Sequence, residues 1–302
     1  MAVTVDSERV RELVDENAAV EQVATGFTFT EGPIWMPDGS LHFSDMPADK
    51  RRRWHPHEGV TVLRDPSNKC NGMTLDNDGN LIVCEHVTSS VVRERPDGSR
   101  ETFATLWGDT QLNSPNDVIV HSNGAIYFSD PTFGRMPGFG IEREQDLDFQ
   151  GVYRIPPGGG DLQLLGDDFA QPNGLCLTAD ESQLLVNDTV RAHLRVFDVG
   201  SDWSLANGRV LAENIGTGDM ATGELVDGMK LDELGNIYVT GPKGVWIISP
   251  AGEKLGVIQV PENVGNVNWG GDDWRTLYMP ASTSLYRFKT RVSGRREPFM
   301  TA

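Results

Sequence analysis

One unit recurs six times along this chain, and it dictates most of what the chain can become. Each copy opens on a side chain carrying an oxygen, runs through apolar residues to a tight turn, and returns in a second apolar run. The openings are Glu31, Asn71, Asn116, Asn173, Asp227 and Asn266. Seven residues later come the turns, Asp38-Gly39, Asp78-Gly79, Asn123-Gly124, Asp180-Glu181, Leu234-Gly235 and Asp273-Trp274. The return runs include Leu41-His42-Phe43, Leu81-Ile82-Val83 and Ile126-Tyr127-Phe128. Two short apolar runs joined by Asp-Gly or Asn-Gly read as a β-hairpin. Copies are 39 to 57 residues apart, the spacing of propeller blades.

The remainder of each interval holds two more strands. In the third these are residues 151–155 and 162–165, with Pro157-Gly158-Gly159-Gly160 as the turn; in the fifth they are residues 245–248 and 255–260. Six units of four antiparallel strands predict an all-β fold, a six-bladed β-propeller. One outer strand is lacking after the sixth unit, and residues 20–23 supply it from the N-terminal side, closing the ring and leaving no free edge. Residues 1–18 are expected to be a polar segment with a short helix at residues 7–16, where Val10, Leu13 and Val14 share a side. Residues 19–302 are expected to form a single propeller domain, although the length alone would suggest two.

With 44 acidic and 26 basic residues the formal charge is −18. That argues against nucleic acid and against an anionic membrane surface, both of which want a basic face. It is compatible with a cation or a neutral small molecule. Cys70, Cys84 and Cys176 stand at no metal-binding spacing and read as buried thiols. No 18-residue apolar run and no secretory leader pattern occurs, so a cytoplasmic location is the default, with a monomer or small homo-oligomer.

Equivalent positions on the innermost strands of a propeller converge on its axis. The six openings should therefore ring one mouth of the channel. Turn-forming preference explains an Asn or Asp before Gly; it does not explain Glu31, nor six oxygens in six units. Carboxylate and amide oxygens without His or Cys suit one hard divalent cation, Ca2+ first, then Mg2+ or Mn2+, with Zn2+ able to substitute. Fourteen residues beyond the openings stand Asp45, Glu85, Asp130 and Asn187 (Asp188 following), expected as a second acidic layer on the same face. Glu85 and Asp130, with His86 beside Glu85, are candidate substrate contacts. Residues 131–150 form a long insertion and a candidate lid. Arg51-Arg52-Arg53 reads as a solvated strand edge. The Asp76 to Glu85 stretch has an EF-hand-like set of acids, but its glycine is misplaced, and it reads as a hairpin turn.

Thr30-Glu31-Gly32-Pro33, Asn71-Gly72, Val83-Cys84-Glu85-His86, Asn113-Ser114-Pro115-Asn116-Asp117, Phe128-Ser129-Asp130-Pro131-Thr132, Pro172-Asn173-Gly174 and Asp227-Gly228-Met229 occur in that order. The set resembles the gluconolactonase branch of the SMP-30/gluconolactonase/LRE-like family. The resemblance implies a six-bladed propeller that hydrolyses a sugar lactone such as gluconolactone with one divalent metal. It implies Glu31, Asn173 and Asp227 as metal ligands, and Asp227 as the base. Asn116 would touch metal, its water or substrate, and Asn71 joins the substrate contacts. The chain departs from the family pattern at Val87-Thr88-Ser89-Ser90, where many relatives carry an arginine pair, and at Met279-Pro280; both bear on which lactone is taken.

On this reading the metal polarises the lactone and a carboxylate activates water. Asp227 is the first candidate base, and Asp130 and Glu85 are the reserves, since a cation-bound carboxylate is a weak base. Two rivals stand beside it: an aryl-ester or organophosphate hydrolase on the same ring, and a non-enzymatic calcium-binding propeller.

Overall fold

The computed structural model describes residues 2–300. Among these residues it is a ring of six small antiparallel sheets, a six-bladed β-propeller. The innermost strands, in blade order, are Thr30–Trp35, Cys70–Leu75, Val118–Val120, Pro172–Leu177, Met229–Leu231 and Asn268–Gly270. Each starts at or beside one of the repeated openings. The hairpin turns need a left-handed residue, and Gly39 supplies it in blade 1 (φ 79°). Blades 4 and 6 lack glycine there, and Glu181 (φ 57°) and Trp274 (φ 56°) take that conformation.

Blades stack face to face, so a central strand is apolar on both sides. In blade 3, Ile126 and Phe128 pack toward blade 2, while Tyr127 between them packs toward blade 4. This is why the return runs read as unbroken apolar stretches rather than alternating ones. The described core divides into six clusters, one for each gap between neighbouring blades.

Glu21–Thr25 pairs with Ser284–Lys289, from Glu21 opposite Arg287 to Thr25 opposite Ser284. It is the outer strand of blade 6, and it closes the ring as the sequence suggested. The segment before it does more than the sequence showed. Val3–Val5 adds a fifth strand to blade 5, and the helix spans only Val10–Leu13. Val3, Val10, Leu13 and Val14 are buried in the cluster between blades 5 and 6. A small hairpin of Leu106–Trp107 with Thr110–Gln111, also unexpected, precedes blade 3. Among the described residues no helix is long and apolar enough to cross a membrane.

Candidate functional site

Glycine follows the opening residue in blades 1, 2, 4 and 5, and the structure shows why. A Cβ on Gly32 would lie 1.9 Å from the Asn71 carbonyl oxygen; one on Gly228 would lie 1.9 Å from Asn266 Cγ. The backbone of each blade thus passes against the opening residue of the next. Tight convergence at the axis, rather than turn formation, is what these glycines serve. Blades 3 and 6 differ: Val267 follows Asn266, and Asp117 follows Asn116, a third carboxylate close to the ring.

Five of the six openings, Glu31, Asn71, Asn116, Asn173 and Asp227, line one cavity of about 280 Å³ at the channel mouth. Asn266 does not. Its Nδ2 donates to Glu31 Oε2 at 3.0 Å, and its Oδ1 accepts the Val267 N–H, so it braces Glu31 from behind. The Gly32 N–H also donates to Glu31 Oε2. Glu31 Oε1 is left buried without a donor, as are Asn71 Oδ1 and Asn173 Oδ1. The Asn173 amide is turned by its N–H bond to Thr189 Oγ1 (3.1 Å), which itself donates to the Val226 carbonyl.

Glu31 and Asp227 are neighbouring buried carboxyls, each of which perturbs the other. Burial, reinforced by Asp117, pushes the Glu31 carboxyl up to about 7. Burial and the neighbouring Glu31 raise Asp227 far above the usual carboxylate range. Among the described residues neither carboxyl has an ion-pair partner. Two enclosed carboxylates and orphaned amide oxygens lack one thing, a positive charge. An all-oxygen donor set of this kind suits a hard divalent cation. Among the described residues no three His, Cys, Asp or Glu form a metal cluster; the donor set here is two carboxylates with amides.

His86 is 1 % exposed and lies behind the ring, outside the cavity lining. Its Nδ1 donates to the Phe139 carbonyl at 2.9 Å, so Nε2 must be the acceptor and takes an N–H of Asn71 at 3.3 Å. That bond turns Asn71 Oδ1 toward the cavity. Burial pushes the imidazole down to about 4, which keeps Nε2 free to accept. His86 therefore supports a ring residue from outside the cavity lining.

Residues 29–283 match the SMP-30/gluconolactonase/LRE-like region. The chain belongs to the SMP-30/gluconolactonase/LRE-like family. A gluconolactonase of Zymomonas mobilis is 30 % identical over 97 % of this chain and 87 % of its own length. The crystal structure of a candidate gluconolactonase superposes with a TM-score of 0.90 at 30 % identity, covering 98 % of this chain and all of the other. A gluconolactonase of Xanthomonas campestris superposes with a TM-score of 0.87 at 28 % identity, covering 95 % and 94 %.

Within this SMP-30/gluconolactonase/LRE-like chain, Glu85 and Asp130 lie away from the cavity. Glu85 is held by Arg100, by Asn68 Nδ2 (2.8 Å) and by Thr88 Oγ1 (2.9 Å). Asp130 accepts the N–H groups of Asn113 and Ser114 at 2.8 and 2.7 Å. Asp45 and Asp188 do the same for Thr28 and Ala170. The expected second acidic layer is thus a set of ties that fix the chain entering each inner strand. Blade 4 has one extra residue in its hairpin, so Asp188, opposite Pro172, replaces Asn187 in that role. The arginine run is also no loose edge, because Arg51 is buried against Glu94 and Arg52 pairs with Asp45.

Sequence reading offered the 131–150 insertion as a lid but did not identify the apolar residues of the cavity wall. The 131–150 insertion contributes Phe133, Met136 and Phe139, and other loops bring Phe29, Met46, Met220 and Leu225. Phe29 and Leu225 share a register position two residues before their openings, but Phe133, Met136, Phe139 and Met220 lie in connections outside the repeat, where register could not find them. Asp117 was legible as the one acid in a column of four glycines and a valine.

Proposed function

We propose that this protein is a lactone hydrolase that holds one divalent cation, Ca2+ first, through Glu31, Asn173 and Asp227, with Asn71 and Asn116 facing the same space. The observation that carries the reading is the meeting of two carboxyls without ion-pair partners and orphaned amide oxygens in the cavity at the channel mouth. The gluconolactonase names of its relatives point to the lactone as substrate and make gluconolactone the first compound to try. When bound, such a cation supplies positive charge to the carbonyl oxygen of the lactone as negative charge develops there.

The protein's own groups do the rest. With Glu85 and Asp130 committed elsewhere, Glu31 and Asp227 are the carboxylates of the lining. Glu31 is tied down by Asn266 and Gly32 and serves to hold charge in place. Asp227 takes the proton from water as its oxygen bonds to the carbonyl carbon, and returns it to the ring oxygen as the ester bond breaks. His86 and Thr189 set the amides of Asn71 and Asn173 with their oxygens inward. The apolar wall limits competing water.

A pH-indicator assay on five- and six-membered lactones, run with chelator and then with Ca2+, Mg2+, Mn2+ or Zn2+ restored, tests this. Turnover should vanish with chelation and return with a divalent ion. Turnover that survives complete cation removal refutes the metal-dependent reading.

A further inference from the structure

The polar floor of the cavity contrasts with its wall. Above the ring stand Met46, Phe133, Met136, Phe139 and Met220, with no Lys, Arg or His side chain among the described lining residues. The side-chain donors are few, three asparagine amides and one hydroxyl, and partly committed. Asn71 Nδ2 gives one of its two N–H groups to His86, Asn173 Nδ2 gives one of its two to Thr189, and the Thr189 hydroxyl serves the Val226 carbonyl. Among the described residues only Asn116 brings a side-chain amide to this space with no such partner. The orphaned oxygens that could accept from hydroxyls are those a cation would occupy.

A lactone of a sugar carries hydroxyls around most of its ring. Placed here, its ester group would sit on the floor and the remaining hydroxyls would face thioether and phenyl groups. Each hydroxyl left without a partner costs about 5- to 150-fold in affinity. A methylene in the same place gains about fourfold. The absence of a cationic side chain also disfavours a phosphorylated or carboxylated lactone. At about 280 Å³ the cavity suits a ligand at the small end of the ordinary range of ~300–1,000 Å³.

We propose that the preferred substrate is a small uncharged lactone bearing an alkyl substituent, whose ester group meets the ring while the chain lies against Met136, Phe139 and Met220. This rests on the lactone-hydrolase reading and narrows it. The test is kcat/KM of the calcium-loaded protein on γ-lactones with chains lengthened from methyl to heptyl, beside glucono-δ-lactone. The expected result is a rise of about three- to fourfold per methylene until the cavity fills, with gluconolactone at least tenfold below the best alkyl lactone. A flat series with gluconolactone ahead overturns the alkyl preference and leaves lactone hydrolysis standing. No turnover of either class by the calcium-loaded protein overturns both.

Two variants separate wall chemistry from general damage. Met220→Gln, at a side chain 39 % exposed, and Met136→Gln keep the length of the side chain and add polar groups. Each should lower the gain per methylene and narrow the gap to gluconolactone, with calcium affinity unchanged. Equal losses on all substrates, with the slope intact, would remove the wall from specificity.

Discussion

Replacing Gly32 by alanine should open the ring at its narrowest point. The new Cβ would sit 1.9 Å from the Asn71 carbonyl oxygen and 2.7 Å from its carbon. An ordinary C···O contact is about 3.3 Å or longer, so the inner strands of blades 1 and 2 must part by more than 1 Å. Overpacking of this kind costs about 1–3 kcal/mol. Gly32 also has φ 53°, where alanine pays a further ~1–2 kcal/mol. Gly39→Ala isolates the second effect, because Gly39 has φ 79° and nothing within 4 Å of its added Cβ. Thermal unfolding of both variants in chelator compares packing without any contribution from bound cation. A steric cost near 2 kcal/mol should place the Gly32→Ala midpoint roughly 3 °C below that of Gly39→Ala. Calcium affinity, measured calorimetrically, should fall in Gly32→Ala alone, since Glu31 is the adjacent residue and Asn71 the displaced one. Equal midpoints with equal calcium affinity would refute the claim that these glycines exist to let the inner strands converge.

Three further predictions concern the ring and its supports. Asp227→Asn keeps an oxygen in place and removes the base, so turnover should fall by about 10²–10⁴-fold with calcium still bound in calorimetry; loss of calcium binding instead would make Asp227 mainly a ligand. Glu85→Gln weakens the tie to Arg100 and should lower stability by ~1–3 kcal/mol in urea unfolding, while kcat/KM stays within about twofold; a large loss of turnover at unchanged stability would return Glu85 to the active site. His86 is held near 4 in the fold against 6.5 when free, so the unfolded chain gains a proton first as pH falls. Its contribution is intact above about pH 6.5 and is lost between about 6.5 and 4, by about 3 kcal/mol. His86→Gln, compared with the parent in chelator, should flatten that part of the stability–pH curve; identical curves would contradict the buried neutral imidazole.

Much of the architecture was legible because a repeat carries its own register. Aligning Glu31, Asn71, Asn116, Asn173, Asp227 and Asn266 placed the inner strands and gathered five of the six side chains at one cavity. The same register did not show what the strand-end acids touch. Glu85 and Asp130 stand at equivalent positions beside the mouth, but an acid there can face the axis or tie down the preceding loop, and spacing does not distinguish the two. What decides it for Glu85 is Arg100, on another strand of the blade. His86 was near the site but one layer back, a difference that depends on the Phe139 carbonyl in a loop 53 residues away. The wall was illegible for a simpler reason: Phe133, Met136, Phe139 and Met220 sit in connections whose lengths differ from blade to blade, where no repeat constrains the path.

The pairing of Glu21 with Arg287 sets an order on how the molecule comes into being. The first of these residues leaves the ribosome long before the second; at about 5–20 residues per second the interval is roughly 15–50 s. Until then the outer strand of blade 6 has no neighbour, and Glu31 cannot receive the hydrogen bond of Asn266. Early blades can stack as they emerge, yet Glu31, Asn173 and Asp227 come together only when the circle joins. On the proposed function, cation capture is therefore a late event in the biosynthesis of this chain, and the open arc that precedes ring closure is the stage at which its exposed strand edges are most vulnerable to mispairing with other chains.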